Sequence, residues 1–372
     1  MKWHYQQPVE IYFGNDERFR LGEIAEKLGV TRAVLVCDRI LATNGTVQDL
    51  IDRTGNLIAA VYDKGKPNPT VKNVDECAEL IRNTNADFVV AIGGGSSMDC
   101  AKAAAVIAPL AESITVYHGT GVSLPAGGLP IIQIPSTAGT GSEVTAVSVL
   151  TNEEKGFKAP LASPAFYAAA AIVDPVITWS MPPHVTAITG LDVLSHAIEG
   201  YQSRNNQPIT DLFCLEAARL VFRHLRAACV SPASTEAREQ MAQASLLAGL
   251  GFNLPKTGPS HACSFVLTNR YGIPHGEACA LTLDSFLEII AQGDGGRMNE
   301  FATACGFADA AAMAEEIRAL KRDLGVRLNL KDLNLDAAAL QDLIRDSQHP
   351  NMLNSPVEIT DEMLRKMYES ML

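Results

Sequence analysis

A chain of 372 residues is longer than one hydrophobic core usually sustains, so two domains of roughly 150–200 residues are expected. Its 47% hydrophobic and 19% charged residues describe an ordinary globular protein, neither disordered nor fibrous. A net charge of −12 with no basic tract argues against a nucleic-acid partner, because phosphates are held by clustered lysine and arginine.

The opening "MKWHYQQPVEIYFG" has no apolar core, and no window reaches the roughly 18 apolar residues of a membrane span; a cytoplasmic protein is expected. The eight cysteines form no CxxC pair, which fits reduced thiols packed as small hydrophobes rather than a disulfide framework or zinc knuckle. From about residue 31, short apolar runs alternate with helical stretches: "AVLVCD" (33–38), "IAAVYD" (58–63), "FVVAIGGG" (88–95) and "LPIIQIPST" (129–137). That rhythm predicts a parallel sheet covered by helices on both faces. The helix expected in "NPTVKNVDECAELIRNT" takes Asn68 or Thr70 as its cap. After about Pro182 helical periods dominate to the end, so the expected architecture is an α/β domain (1–180) followed by an all-α domain (181–372). Thr360 or Asp361 would cap the final helix.

Three features of the first domain point to a dinucleotide. In "FVVAIGGGSSMDCAK" a buried strand runs through Gly93, Gly94, Gly95 and Ser96 into an Ala-rich helix. Glycines let backbone approach an anion, and a helix N-terminus offers unpaired N–H groups and the positive end of its dipole. The pattern is not GxGxxG, so a standard Rossmann fingerprint is absent. In "IPSTAGTGSEVT" (134–145), Ser136, Thr137, Thr140 and Ser142 follow another strand and could bond a ribose, phosphate or carboxamide. Asp38 ends a strand where a carboxylate can hold both adenosine ribose hydroxyls and repel a 2′-phosphate, which favours NAD over NADP. Taken singly, each could instead be an ordinary loop or turn.

A metal is suggested by "GLDVLSHAIEG", where Asp192 and His196 stand i, i+4 on one helix face. With His261 and His275, from "GPSHACSFVLTNRYGIPHGEACALTL", they make four protein ligands. One hard oxygen and three imidazole nitrogens suit Fe(II) or Zn(II). Lys256 and Arg270 bracket His261, so Lys256, with the Thr257 hydroxyl and Arg270, could capture an anionic substrate tail.

At these residues the chain resembles the iron-containing, group III alcohol dehydrogenase family over nearly its whole length. The resemblance rests on "GGGSSMDCAK", "PSTAGTGSE", "VDP" at 173–175, "GLDVLSHAIE" and "PNPT" at 67–70. It implies NAD(H) and one divalent metal, iron before zinc, with Asp192, His196, His261 and His275 as ligands and the metal in a cleft between the two domains. It also puts Asp38, Asn68, Gly94, Gly95, Ser96, Asp99, Ser136, Thr137, Thr140, Ser142 and Lys158 on the cofactor. The implied reaction joins a small aldehyde and its primary alcohol: hydride passes from the nicotinamide to a carbonyl carbon whose oxygen is polarised by the metal, and the proton moves through ribose hydroxyl and water. Many members carry a histidine four residues beyond the third ligand; here that position is Phe265, which gives the substrate wall an apolar face. "PKTGPSHACSF" and "TNRYGIPHGEACALTL" resemble the phosphonoacetaldehyde reductase branch, so phosphonoacetaldehyde is the expected substrate, with a general short-chain alcohol or diol as the alternative. From other classes, the alternatives are a lyase of the dehydroquinate-synthase type and a non-catalytic assembly protein on the same scaffold. A homo-oligomer, a dimer, is expected.

Overall fold

In the computed structural model, residues 2–230 and 234–372 are described. Two units can be distinguished: Gln6–Trp179, and Ser180–Leu372 together with the first residues up to Tyr5.

In the α/β unit the apolar runs become strands: β1 (Glu10–Phe13), β2 (Ala33–Asp38), β3 (Ile58–Gly65), β4 (Phe88–Gly93), β5 (Ile131–Pro135), β6 (Val147–Asn152), β7 (Phe157–Ala162) and β8 (Ala170–Val173). The helices are α1 (Leu21–Leu28), α2 (Arg39–Thr43), α3 (Thr46–Thr54), α4 (Val71–Asn83) and α5 (Gly95–Ile107). Six strands form one sheet in the order β1-β8-β5-β4-β2-β3, and every pairing in it is parallel. Successive residues alternate between its faces: Val34, Val36, Val89 and Ala91 pack toward α4 and α5, while Leu35, Phe88, Val90 and Ile92 pack toward α1 and α3. Both faces are covered, which is why these strands read as unbroken apolar runs. β6 and β7 form a separate antiparallel hairpin that the periodicity did not reveal.

The chain leaves β2 toward the β3 edge and then returns to place β4 on the other side of β2. Strand order therefore reverses between β2 and β4, and ligands of open α/β sheets sit at the carboxyl ends of strands flanking such a reversal. Asp38 closes β2, Gly93 closes β4, and Pro135 lies opposite Gly93 at the end of β5. Thr70, rather than Asn68, caps α4, in a reciprocal capping box with Asn73.

The helical unit contains α6 (Pro183–Gln202), α7 (Pro208–Val230), α8 (Thr235–Phe252), α9 (Pro259–Tyr271), α10 (His275–Ala291), α11 (Arg297–Ala304), α12 (Ala310–Asp323), α13 (Ala337–Ser347) and α14 (Asp361–Glu369). α6 is its central element, buried along most of its length and packed on α7, α8 and α10. Thr360 caps α14, and the Tyr368 hydroxyl bonds Ser347 Oγ at 2.8 Å to dock that helix on α13. Among the described residues no helix is long and apolar enough to cross a membrane.

Candidate functional site

Helical spacing on α6 places Asp192, His196 and Glu199 on one buried face. Glu199 organises what meets that face. Its carboxylate accepts backbone N–H bonds from Gly258 (2.9 Å), Ser260 (2.5 Å) and His261 (3.3 Å), closing the N-terminus of α9. The same carboxylate lies 2.5 Å from His261 Nδ1, which keeps a proton on Nδ1 and makes Nε2 the ring nitrogen turned toward Asp192. His261 Nε2 is buried, has no hydrogen-bond partner, and lies 3.6 Å from Asp192 Oδ1. An imidazole nitrogen buried against a carboxylate oxygen calls for a positive charge between them, a proton or a metal ion.

α10 contributes the remaining donors. It starts at His275, and one turn later Cys279 returns to the same face; one ligand atom from each of Asp192, His261, His275 and Cys279 falls within 4.8 Å of the others. Ser264 Oγ bonds His275 Nδ1 at 3.3 Å. Gly276 makes this approach possible: a Cβ there would sit 2.2 Å from the Ile188 carbonyl oxygen and 3.1 Å from Asp192 Cβ. His196 borders the group, with its ring 4.6 Å from that of His261 and stacked on Phe252 at 4.1 Å. The donor set, an oxygen with imidazole nitrogens, fits a divalent transition metal.

Around this centre the expected substrate residues divide. Phe265, one turn after His261, lies 6.5 Å from the His275 ring and 4.5 Å from the His349 ring, so it forms an aromatic wall. Lys256 stands on the loop between Phe252 and Gly258 in a left-handed conformation, φ 70°, which non-glycine residues adopt at a cost. Its Nζ is drawn back onto the Asn253 carbonyl at 2.7 Å, and its desolvated surroundings hold the ammonium below its ordinary pKa. The Thr257 hydroxyl accepts from Asn351 Nδ2 at 2.8 Å. Arg270 has a different occupation: on the exposed side of α9 it pairs with Asp346 at 2.8 Å and Asp342 at 3.5 Å.

In the α/β unit most of the expected cofactor residues gather at the carboxyl ends of the strands. Asp38 Oδ1 caps α2 by accepting from Leu41 N at 2.9 Å, while Oδ2 faces Gly93. Asn68, with φ 58°, donates its N–H to Ser96 Oγ at 3.3 Å and accepts from Lys158 Nζ at 2.8 Å. No side chain caps α5. A Cβ on Gly95 would meet the Thr140 side chain at 2.8 Å, so glycine keeps the two loops together. Ser142 and Asp99 are engaged beneath this surface: Ser142 Oγ donates to Asp99 at 2.7 Å and accepts from buried Lys102 Nζ at 2.8 Å. Asp99 also accepts from Val149 N at 2.8 Å. Burial lowers Lys102 to about 8 and raises the Asp99 and Glu143 carboxyls, Glu143 to about 7.

A family model for iron-containing alcohol dehydrogenase matches residues 8–175, and one for the C-terminal region of the Fe-containing alcohol dehydrogenase family matches 186–372. The chain belongs to the iron-containing alcohol dehydrogenase family. It is thus an alcohol/aldehyde oxidoreductase rather than a lyase or a bare scaffold. Among solved members, sulfoacetaldehyde reductase from Bifidobacterium kashiwanohense, in complex with NAD+, is 52% identical, with a TM-score of 0.98 covering 100% of this chain and 99% of that one. Choline dehydrogenase of Bacillus subtilis is 37% identical over 85% of this chain and 80% of its own length. 1,3-Propanediol dehydrogenase of Klebsiella pneumoniae is 35% identical over 90% and 89%. Two residues of this candidate cluster are not marked by motif spacing. Glu199 was visible as the third position of a buried face, seven residues after Asp192 and three after His196; Cys279 was visible only as an i+4 companion of His275.

Proposed function

We propose that this chain reduces a short aldehyde bearing an anionic terminal group, using NADH and a divalent metal, iron before zinc, held by Asp192, His196, His261 and His275. The observation that carries this reading is the 52% identity, over the full chain, to a sulfoacetaldehyde reductase. When bound, the metal supplies Lewis acidity toward the carbonyl oxygen. Glu199 fixes His261 so that only Nε2 can serve as a ligand atom. Phe252 and Phe265 supply apolar surface beside His196 and His275, which keeps water from the carbonyl. On the α/β unit, Gly94, Gly95 and Ser96 cradle the pyrophosphate at the start of α5, and Asn68 with Lys158 borders it. Asp38 favours NADH over NADPH because its carboxylate would face a 2′-phosphate.

Lys256 is the group available for the anionic tail. Of its three donor positions, one goes to the Asn253 carbonyl. Phosphonoacetaldehyde and sulfoacetaldehyde both present a tetrahedral oxyanion on the carbon next to the aldehyde carbon. With Arg270 paired to Asp346, a single ammonium matches a singly charged sulfonate better than a phosphonate dianion, so we place sulfoacetaldehyde first. A substrate of the opposite charge, as in the choline dehydrogenase relative, would be repelled by Lys256.

The test follows NADH oxidation with sulfoacetaldehyde, phosphonoacetaldehyde and propanal, in wild type and Lys256→Ala, at matched ionic strength. Charge-assisted hydrogen bonds contribute roughly 1.5–3 kcal/mol, so kcat/KM for the anionic aldehydes should fall about ten- to a hundredfold, with propanal almost unchanged. Equal losses for all three substrates, or a wild type that prefers propanal, would overturn the anionic-substrate reading.

A further inference from the structure

We propose that the segment His349–Asn354, between α13 and α14, is a specificity clamp: Asn351 and Asn354 are positioning residues that hold Lys256 in the backbone conformation from which its ammonium meets an anionic substrate tail. The proposal rests on the anionic-aldehyde reading above and adds what fixes Lys256 in place. Lys256 has φ 70°, a left-handed conformation open to glycine and unfavourable for a residue with a Cβ. A loop that needed only the turn would be served by glycine or asparagine. Lysine at such a position couples the turn to the side chain it carries, and a strained residue of this kind persists only where its surroundings over-determine it.

The surroundings of Lys256 do this from both sides. Before it, the Pro255 carbonyl accepts from Ser203 Oγ at 2.6 Å, and the Lys256 N–H itself donates to the Phe252 carbonyl at 2.7 Å. After it, Thr257 is held at two points by residues about a hundred positions away: Asn354 Nδ2 donates to the Thr257 carbonyl at 2.7 Å, and Asn351 Nδ2 donates to the Thr257 hydroxyl at 2.8 Å. The holding segment is itself anchored. The Asn354 carbonyl accepts the Arg204 N–H at 2.9 Å, just beyond α6, and His349 Nδ1 accepts the Asn351 N–H at 3.2 Å. The His349 ring lies 4.5 Å from Phe265, so one short segment touches both the loop of the cation and the aromatic wall. Without either amide, the peptide after Lys256 is free to rotate, the backbone relaxes out of the left-handed region, and Nζ is carried away from the Asn253 carbonyl that it bonds at 2.7 Å.

The test compares kcat/KM for sulfoacetaldehyde with that for propanal in the metal-loaded enzyme at saturating NADH. The variants are Asn351→Ala and Asn354→Ala, each alone and combined with Lys256→Gly, which tolerates the left-handed turn but lacks the ammonium. In each single asparagine variant the sulfoacetaldehyde-to-propanal ratio should fall about three- to tenfold, mainly through KM for the anionic aldehyde. In the Lys256→Gly background, removing either asparagine should leave the ratio where Lys256→Gly alone sets it, because the asparagines act through Lys256. A merely structural role would instead lower both substrates together. Asn351 bonds only a hydroxyl, so Asn351→Ala decides the matter should Asn354→Ala fail to fold. An unchanged ratio in the asparagine variants, or the same fall in the ratio with and without Lys256, would overturn the clamp and leave the anionic-aldehyde reading standing. A ratio that Lys256→Gly itself does not move would overturn both.

Discussion

Glu199 does at the scale of one residue what sequence spacing alone cannot: it chooses which nitrogen of His261 turns toward Asp192. Its two oxygens meet three backbone N–H groups and one imidazole nitrogen, all donors. Glu199→Gln would turn one end of that acceptor into an N–H₂ group facing other donors. Because partners behind a metal-ligating histidine typically tune metal affinity by about ten- to a hundredfold, the variant should bind Zn²⁺ or Fe²⁺ more weakly by that factor. Competition with a chromophoric chelator measures this, and unchanged affinity would remove Glu199 from the metal's support.

At the scale of elements, the proposed metal centre depends on how closely α10 lies on α6. The closeness is set where Gly276 passes the Ile188 carbonyl, so a single methyl group is enough to test it. Gly276→Ala should force the helices apart, cost about 1–3 kcal/mol of stability by overpacking, and lower the bound metal. Gly22 on α1 is the matched control, since a Cβ there would meet nothing within 4 Å and alanine suits a helix better than glycine. Thermal unfolding and elemental analysis of the two variants separate the outcomes: metal retained in full by Gly276→Ala would mean that the helix spacing is not critical. Caps show the same division between local and distant causes. Thr70 closes α4 through bonds made within four residues, and "NPTVKN" contains the pattern. Glu199 closes α9 from about sixty residues away, and no local pattern announces it.

At the scale of the whole molecule, stability against pH should carry the mark of the buried Lys102, Asp99 and Glu143 beside the β4–α5 loop. Glu143 titrates at about 7 in the folded chain against an ordinary 4.5, because burial disfavours its charge. Between those values the folded state holds the proton that the unfolded state has lost. Stability is therefore full below about 4.5, falls as pH rises toward about 7, and then levels off, by at most about 3 kcal/mol. Lys102, lowered from 10.5 to about 8 by burial, works in the other direction: the unfolded state holds the extra proton between those values, so stability rises with pH across them. The minimum should fall between about 7 and 8. Glu143→Gln should raise the melting temperature at pH 8 relative to wild type and leave it nearly unchanged at pH 5; calorimetry showing the same offset at both would refute the assignment.

Much of this protein is determined by sequence alone, because the signals are local. Unbroken apolar runs and period-3.6 patterns place an α/β unit before a helical one, glycines mark the end of β4 and a Ser/Thr-rich loop follows β5, and Asp192 with His196 shares a helix face by spacing. Tertiary structure decided what depends on distant packing. Residues far apart in sequence, on α6, α9 and α10, had to be brought together before the approach of His261 Nε2 to Asp192, the closeness of Gly276 and the approach of Cys279 existed at all. The β6–β7 hairpin stayed hidden because it lies outside the main sheet and its short strands carry polar residues. Arg270 likewise looked available beside His261 in the chain, but helix rotation turns it toward Asp346, since only residues three or four apart share a face.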